Sequence, residues 1–464
     1  MAILIKNGNV VLEDGQIQTD IVIEEEKIDA IGEFADNGNF DQIYDASNLL
    51  VLPGVIDAHT HFYLESGSYT TADDFNTGTR SAACGGVTTV IDFATQVPGE
   101  SLLETIFKRK KQADGNVNID YGLHAIVADT SSGQENELEE LVEMGIVSMK
   151  LFTTYRKTML YADDNMISRI LKLSNALGFL VQIHAEDDFI VESARTALIY
   201  QGSTLLKYHG KSRPANAESE AVKRMIALAA RANSPLYIVH NSTPESLELI
   251  SQARQRGEDV IAESCPQYFL LNDEVFDGAH PEEFVCSPPI RPIELVETMN
   301  QLLLQGKVDV IGTDHCGYTR QQKRMATSFI DAANGLPGVE TLLPTMFSHV
   351  VVPEKINLVR LMKIMSTNPA KIFGIYPQKG TIKVGSDADL VLFDPQASYT
   401  LEDQMLHSVE GAYTPYAGKE ITGKVKKTFS RGRLIYDEGR FLGLHTHGKF
   451  VPGTPFDKNV IATL

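Results

Sequence analysis

The sequence contains no tryptophan and only four cysteines, Cys84, Cys265, Cys286 and Cys316, scattered through 464 residues without a CxxC pair. That spacing excludes a disulfide framework and a structural zinc knuckle, and it suits a reducing compartment. Basic residues are in deficit: 41 Lys plus Arg stand against 61 Asp plus Glu, a formal net charge of −20. An acidic surface of that size repels nucleic acid and anionic membranes, so neither is an expected partner. No apolar run reaches the roughly 18 residues of a membrane helix. The opening segment Ala2-Ile3-Leu4-Ile5-Lys6-Asn7-Gly8 has no basic stretch followed by a long apolar one, so it does not read as a signal peptide. A cytoplasmic location is the expectation. Short-period repeats and low-complexity segments are also missing.

Hydrophobic residues make up 43% of the chain, enough for a large core and for two or three domains. Residues 1–50 read as short strands broken by Asn7-Gly8 and Asp14-Gly15. The same texture returns after Gly380, so residues 1–50 and 376–464 are expected to build one smaller β-sandwich domain around a central domain of residues 51–375. Eight short apolar runs punctuate the centre: Val51 to His61, Gly86 to Phe93, Ile119 to Val127, Val147 to Phe152, Phe179 to His184, Leu236 to His240, Asp259 to Glu263 and Val308 to Asp314. Most are separated by stretches with helical periodicity. Runs of this kind suit strands buried on both faces of a parallel sheet, and eight strand–helix units make a (β/α)8 TIM-like barrel. The fold class is therefore α/β.

The ends of those runs carry the chemistry. Asp57-Ala58-His59-Thr60-His61 closes the first, and alternation along a strand aims His59 and His61 to one side. Lys150 lies in the fourth run, His184 ends the fifth, His240 the sixth, and Asp314 the eighth, with His315 next. Barrel active sites are built at these C-terminal strand ends. One histidine there is ordinarily structural. Four of the twelve histidines at such ends, with an aspartate on the last strand, form a ligand set for zinc or a similar ion. Lys150 among apolar neighbours would have a lowered pKa and a neutral amine able to add carbon dioxide; an ordinary buried salt bridge is the plainer reading of the same residue.

Further motifs follow in order. They are Pro53-Gly54-Val55-Ile56-Asp57-Ala58-His59-Thr60-His61, Thr71-Ala72-Asp73-Asp74-Phe75, Gly85-Gly86-Val87-Thr88-Thr89, Cys265-Pro266-Gln267-Tyr268 and Cys286-Ser287-Pro288-Pro289. Then come Gly312-Thr313-Asp314-His315-Cys316, Asn334-Gly335-Leu336-Pro337-Gly338-Val339-Glu340 and Asn368-Pro369-Ala370-Lys371-Ile372-Phe373-Gly374. In this order, over nearly the whole chain, the sequence resembles the dihydropyrimidinase/hydantoinase branch of the cyclic amidohydrolases. The resemblance implies a small-molecule cyclic amide as substrate, opened by hydrolysis to an N-carbamoyl amino acid. It implies two divalent metal ions, with zinc expected: His59, His61 and Asp314 on one, His184 and His240 on the other, and Lys150 as a bridging carbamate. Asp314 is then the proton shuttle. Tyr155 would bind the substrate and polarise the reacting carbonyl, and main-chain groups at Ser287 and Asn334 would hold the ring's imide edge. A homotetramer is implied too.

The chain departs from the branch after His61, in Phe62-Tyr63-Leu64-Glu65-Ser66-Gly67-Ser68-Tyr69. The Arg-Glu-Pro-Gly or Glu-Pro-Gly stretch of relatives that act on dihydroorotate or allantoin is not there, which argues against both substrates. With the segment Thr153 to Tyr161, this loop is expected to shape the pocket, Leu64, Phe152 and Met159 supplying an apolar wall. Another cyclic imide amidohydrolase is the alternative within the enzyme class. A non-catalytic scaffold is the alternative outside it, disfavoured because all six ligand positions are filled. The second HxH, His445-Thr446-His447, reads as surface tail, and His124 as a structural residue.

Overall fold

Gly54 divides the run from Val51 to His61, read above as one strand, into two strands of different sheets. Leu50–Pro53 pairs with Ala2–Leu12 and Leu390–Thr400, whereas Val55–Thr60 pairs with Val87–Thr95. No side chain fits at the junction: a Cβ on Gly54 would lie 2.0 Å from Thr88 Oγ1. This is a computed structural model, and it describes residues 2–35, 40–129 and 136–464.

The second half of the divided run opens an eight-stranded parallel sheet. Val55–Thr60 is followed around it by Val87–Thr95, Asp120–Ile126, Ser148–Phe152, Leu180–His184, Leu236–Ile238, Val260–Ser264 and Val310–Ile311. A parallel bridge from Thr60 to His315 joins the last strand's end to the first. The His61 N–H donates to the His315 carbonyl (2.8 Å), and the His315 N–H to the His59 carbonyl (3.2 Å). Nearly every residue of these strands is buried, because helices cover one face and the barrel core fills the other. That is why they read as apolar runs rather than as alternating ones.

The helices begin and end where the sequence supplies caps. Asp74 and Thr77 form a reciprocal capping box before Phe75–Cys84. Asp163 caps Asp164–Leu177 through the Met166 N–H (2.8 Å), and Gly178 stops that helix at φ +78°. Met166, Ile167, Ile170 and Leu171 form its buried stripe, and each such side chain contributes about 1.5–3 kcal/mol on leaving water.

The chain ends form a second, mainly antiparallel sheet. Its order is Arg440–Phe441, Arg433–Asp437, Glu420–Ser430, Leu390–Thr400, Leu50–Pro53, Ala2–Leu12, Gly15–Glu24, Lys27–Gly32. It forks at Ala2–Leu12, whose one edge is shared by Gln42–Asp45 and Leu50–Pro53, both parallel to it. A buried ion cluster joins this sheet to the barrel. Lys379 reaches Asp120 (2.5 Å), Asp389 (2.7 Å) and Asp387 (2.9 Å), and Arg431 also reaches Asp120 (3.1 Å). The final segment is tied to the same place by the Lys449 N–H on Asp120 Oδ1 (2.8 Å) and a Tyr121–Phe450 bridge. Asp120 starts its strand, so this clasp grips the barrel's N-terminal end and leaves the opposite mouth free for a site. No helix among the described residues is long and apolar enough to cross a membrane.

Candidate active site

Five of the strand ends deliver their polar side chains to one point. His59 Nε2 and His61 Nε2 lie 3.2 and 3.3 Å from Asp314 Oδ1. Lys150 Nζ is 2.9 Å from His59 Nε2. Ligand atoms of His59, His240 and Asp314 all fall within 4.8 Å of one another. The His184 and His240 rings meet edge to face, centroids 4.6 Å apart, and His240 approaches His59 at 5.5 Å. The six predicted ligands are thus gathered at the barrel mouth. His240 and Asp314 sit at φ +37° and +52°, a conformation costing about 1–3 kcal/mol in a non-glycine residue.

Burial sets the protonation states. It holds His59, His61, His184 and His240 below their ordinary value, so each imidazole keeps a lone pair. The same burial pulls the Lys150 ammonium down to about 8. Nζ lies 4.2 Å from the Phe93 ring centroid and 5.2 Å from that of Phe152. Burial would raise Asp314, but its contacts with His59, His61 and His240 outweigh it and hold the carboxyl below its ordinary value.

Several groups that orient the ligands were not singled out from the sequence. Glu263 Oε1 lies 2.6 Å from His59 Nδ1 and accepts the His240 N–H (3.0 Å), while Oε2 accepts the Tyr237 hydroxyl (2.7 Å). Asp57 accepts the Thr313 N–H (3.0 Å) and hydroxyl (2.5 Å), which binds the first strand to the last. Glu186 Oε2 lies 2.8 Å from His184 Nε2 and is paired with the buried guanidinium of Arg213. Only their place at or beside strand ends marked them in the sequence, because their partners are remote in the chain.

A divalent cation fits the arrangement. The proton shared with Glu263 belongs on His59 Nδ1, which leaves Nε2 an acceptor facing the carboxylate of Asp314. Lys150 Nζ reaches Nε2 at 2.9 Å, but the imidazoles of His59, His61 and His240 and the Asp314 carboxylate gather more acceptors than one amine can satisfy. That nitrogen and oxygen donor set suits a divalent cation. The Nδ1 atoms of His61 and His240 are buried without a hydrogen-bond partner, a further sign of a site designed around something other than protein donors.

The expected substrate contacts surround this point. Tyr155, at φ +69°, lies beside His184 (centroids 5.4 Å) and under the Arg213 guanidinium (5.0 Å). Burial raises the Tyr155 phenol, whose partners include the Ser287 hydroxyl. Ser287 Oγ in turn donates to Asn334 Oδ1 (2.9 Å). The three predicted wall residues have different surroundings. Phe152 is buried against His184 (5.2 Å), Leu64 packs with Cys316, Tyr318 and Ala333, and Met159 is 48% exposed. The loop after His61 makes a small hairpin, Glu65–Ser66 with Tyr69–Thr70. His315 accepts the Gly338 N–H on Nδ1 (3.1 Å) and faces Asp73 with Nε2 (3.3 Å). His124 is spent on the Ser148 hydroxyl and the Ala58 carbonyl. Of the second HxH, read above as surface tail, His445 is exposed, whereas His447 is half-buried and bonds the Ser430 carbonyl (3.0 Å), which ties that segment to the sheet.

Comparison with known proteins gives the family and its relatives. The amidohydrolase family pattern matches residues 50–435. A D-hydantoinase of Ralstonia pickettii is 39% identical over 458 residues, covering 97% of this chain and 98% of its own. A D-phenylhydantoinase of Escherichia coli O1:K1 / APEC is 37% identical over 460 residues, with 98% and 99% covered. The crystal structure of dihydropyrimidinase from Brevibacillus agri matches with a TM-score of 0.95 at 37% identity, over 98% of this chain and 100% of that one.

Proposed function

The chain belongs to the amidohydrolase family and is a cyclic amidohydrolase, and from that premise we propose how its residues open a ring. The reaction is hydrolysis of the cyclic amide bond of dihydropyrimidines or 5-substituted hydantoins to N-carbamoyl amino acids. The observation that carries the site assignment is the convergence of His59, His61, Lys150, His184, His240 and Asp314 on one buried point at the barrel mouth.

In this reading His59, His61 and Asp314 would hold one divalent ion, and His184 and His240 would hold another. Zinc is the expected metal for such ligands. Lys150, with its ammonium drawn down to about 8, offers a neutral amine to carbon dioxide. The N–C bond would form with loss of a proton to solvent, and the resulting carbamate would supply an anionic oxygen ligand for the ions. Bound ions supply Lewis acidity and an activated water at neutral pH. Asp314, its carboxyl held below the ordinary value by its histidine contacts, takes up a proton as the carbonyl is attacked and delivers it to the departing ring nitrogen. The Tyr155 phenol donates to the carbonyl oxygen as negative charge builds there. The backbones at Ser287 and Asn334 hold the imide edge, and Leu64, Phe152 and Met159 border the space for the ring substituent.

Ring-opening rates on dihydrouracil and on hydantoins with small and aromatic 5-substituents test the assignment. Turnover of dihydrouracil or of a hydantoin to its N-carbamoyl acid supports it; failure on every ring with metal confirmed in the site overturns it.

A cytoplasmic homotetramer completes the proposal. Phe189, Tyr200 and Leu205 are 78%, 92% and 57% exposed on and just beyond the helix Asp188–Tyr200, apolar surface suited to a second copy. A sedimentation mass near the 51.1 kDa of one chain would refute the tetramer.

A further inference from the structure

Lys323 is 1% exposed, and its ammonium lies between the loops that carry Ser287 and Asn334. Nζ donates to the carbonyls of Val285 (2.8 Å), Ala333 (2.7 Å) and Gly335 (3.0 Å). All three donors of the ammonium are thereby used. Val285 precedes Ser287 by two residues, and Ala333 and Gly335 flank Asn334 on either side. The loops also touch each other directly, the Gly335 N–H on the Val285 carbonyl (3.0 Å) and the Ser287 hydroxyl on Asn334 Oδ1 (2.9 Å).

The element that carries Lys323 is itself anchored. Arg320–Lys323 is a single turn closed by a Thr319–Gln322 capping box. Gln322 Nε2 holds the Thr70 carbonyl of the hairpin that follows His61 (2.9 Å). Arg320 Nε and Arg324 Nε both grip Glu283 Oε1, at 2.8 and 2.9 Å. On the far side Gly335 has no slack. Its φ is +147°, and a Cβ there would stand 2.4 Å from the carbonyl oxygen of Cys316, two residues beyond Asp314. The Lys323 turn therefore gathers the hairpin, the Ser287 loop and the Asn334 loop around one fixed point.

The hydrogen bonds of Lys323 all go to carbonyl oxygens. A buried ammonium so held ties the fold together, since its loss would strand carbonyl oxygens in a dry interior. It also sets geometry: three carbonyls are drawn to fixed distances from one nitrogen. An arginine cannot reproduce this, because its donors lie in a planar fork.

We propose that Lys323 is a positioning residue for the ring-opening reaction, setting the separation and orientation of the Ser287 and Asn334 backbones that hold the substrate's imide edge. The proposal rests on the reading that those two backbones hold the ring.

The test compares hydantoin with 3-methylhydantoin, in which the imide N–H is replaced, on metal-loaded wild type and on Lys323→Met. The wild type is expected to bind hydantoin at least about tenfold more tightly than the methylated ring, the worth of one lost hydrogen bond in a closed site. Lys323→Met should raise KM for hydantoin by about tenfold and shrink the discrimination below about threefold. Metal per chain should stay at the wild-type value, which a general collapse of the barrel mouth would not allow. A folded Lys323→Met that keeps the full discrimination overturns the proposal. Equal binding of the two rings by the wild type removes the imide-edge reading, and the proposal with it. If Lys323→Met does not accumulate as folded protein, Lys323→Arg, which keeps charge and bulk without the three-way donor set, is read by the same ratio.

Discussion

Replacing Glu263 separates what its charge does from what its hydrogen bonds do. Three donors converge on this carboxylate: His59 Nδ1 at 2.6 Å, the Tyr237 hydroxyl at 2.7 Å and the His240 N–H at 3.0 Å. Glu263→Leu strands all three in a dry interior at about 1–3 kcal/mol each. The total, about 3–9 kcal/mol, rivals the roughly 5–15 kcal/mol that keeps a typical domain folded. That variant should scarcely accumulate. Glu263→Gln is different. Its amide oxygen can take the place of Oε1 and keep His59 and His240, while its NH2 donates to the Tyr237 hydroxyl, which can turn to accept. Every bond survives, and only the negative charge behind His59 is lost. Metal affinity should then fall about 10–100-fold, as for other partners of ligating histidines, equivalent to about 1.4–2.8 kcal/mol. The assay is titration of metal-free protein with zinc against a competing chelator, with thermal unfolding recorded beside it. A Glu263→Gln protein that binds zinc as tightly as the wild type would refute the argument that Glu263 supports His59 as a ligand.

Tyr155→Phe removes the phenol that the proposed mechanism sets against the reacting carbonyl; kcat should drop about 10²–10³-fold with metal content unchanged, measured by ring opening and elemental analysis. Lys379→Met leaves Asp120, Asp387 and Asp389 facing one another inside the protein, so denaturant unfolding should show a loss of about 3–5 kcal/mol. His407 Nδ1 lies 2.6 Å from Glu340 Oε1, and that hydrogen bond raises the imidazole above its ordinary 6.5 in the folded protein. A raised folded value means the extra stability is complete below about 6.5 and fades as pH climbs through the folded pKa. The stability gap between wild type and His407→Gln should therefore be wider at low pH than at high pH; a constant gap would contradict it.

The barrel was legible because its strands are buried on both faces, so their apolar runs stand out without any knowledge of partners. The candidate metal site was legible for a related reason: His59, His184, His240 and Asp314 each interrupt an apolar run at its end. The switch between sheets at Gly54 was hidden, since polarity does not change across it and only the contact with Thr88 reveals why the chain turns there. Glu263 was hidden as well. Its histidine partner is 204 residues away, and a glutamate at a strand end has many ordinary explanations. Lys323, within Arg320-Gln321-Gln322-Lys323-Arg324, reads in sequence as part of a charged surface turn. Its burial follows from three loops that meet only in the folded chain.

The most direct test is to count metal per chain and measure ring opening together, on wild type, Lys150→Ala and Lys150→Arg prepared without chelator and supplied with zinc and bicarbonate. The account predicts two ions per wild-type chain with turnover, and loss of most metal and nearly all activity in both variants, since neither side chain forms a carbamate. A Lys150→Ala protein that keeps two ions and full activity would contradict it.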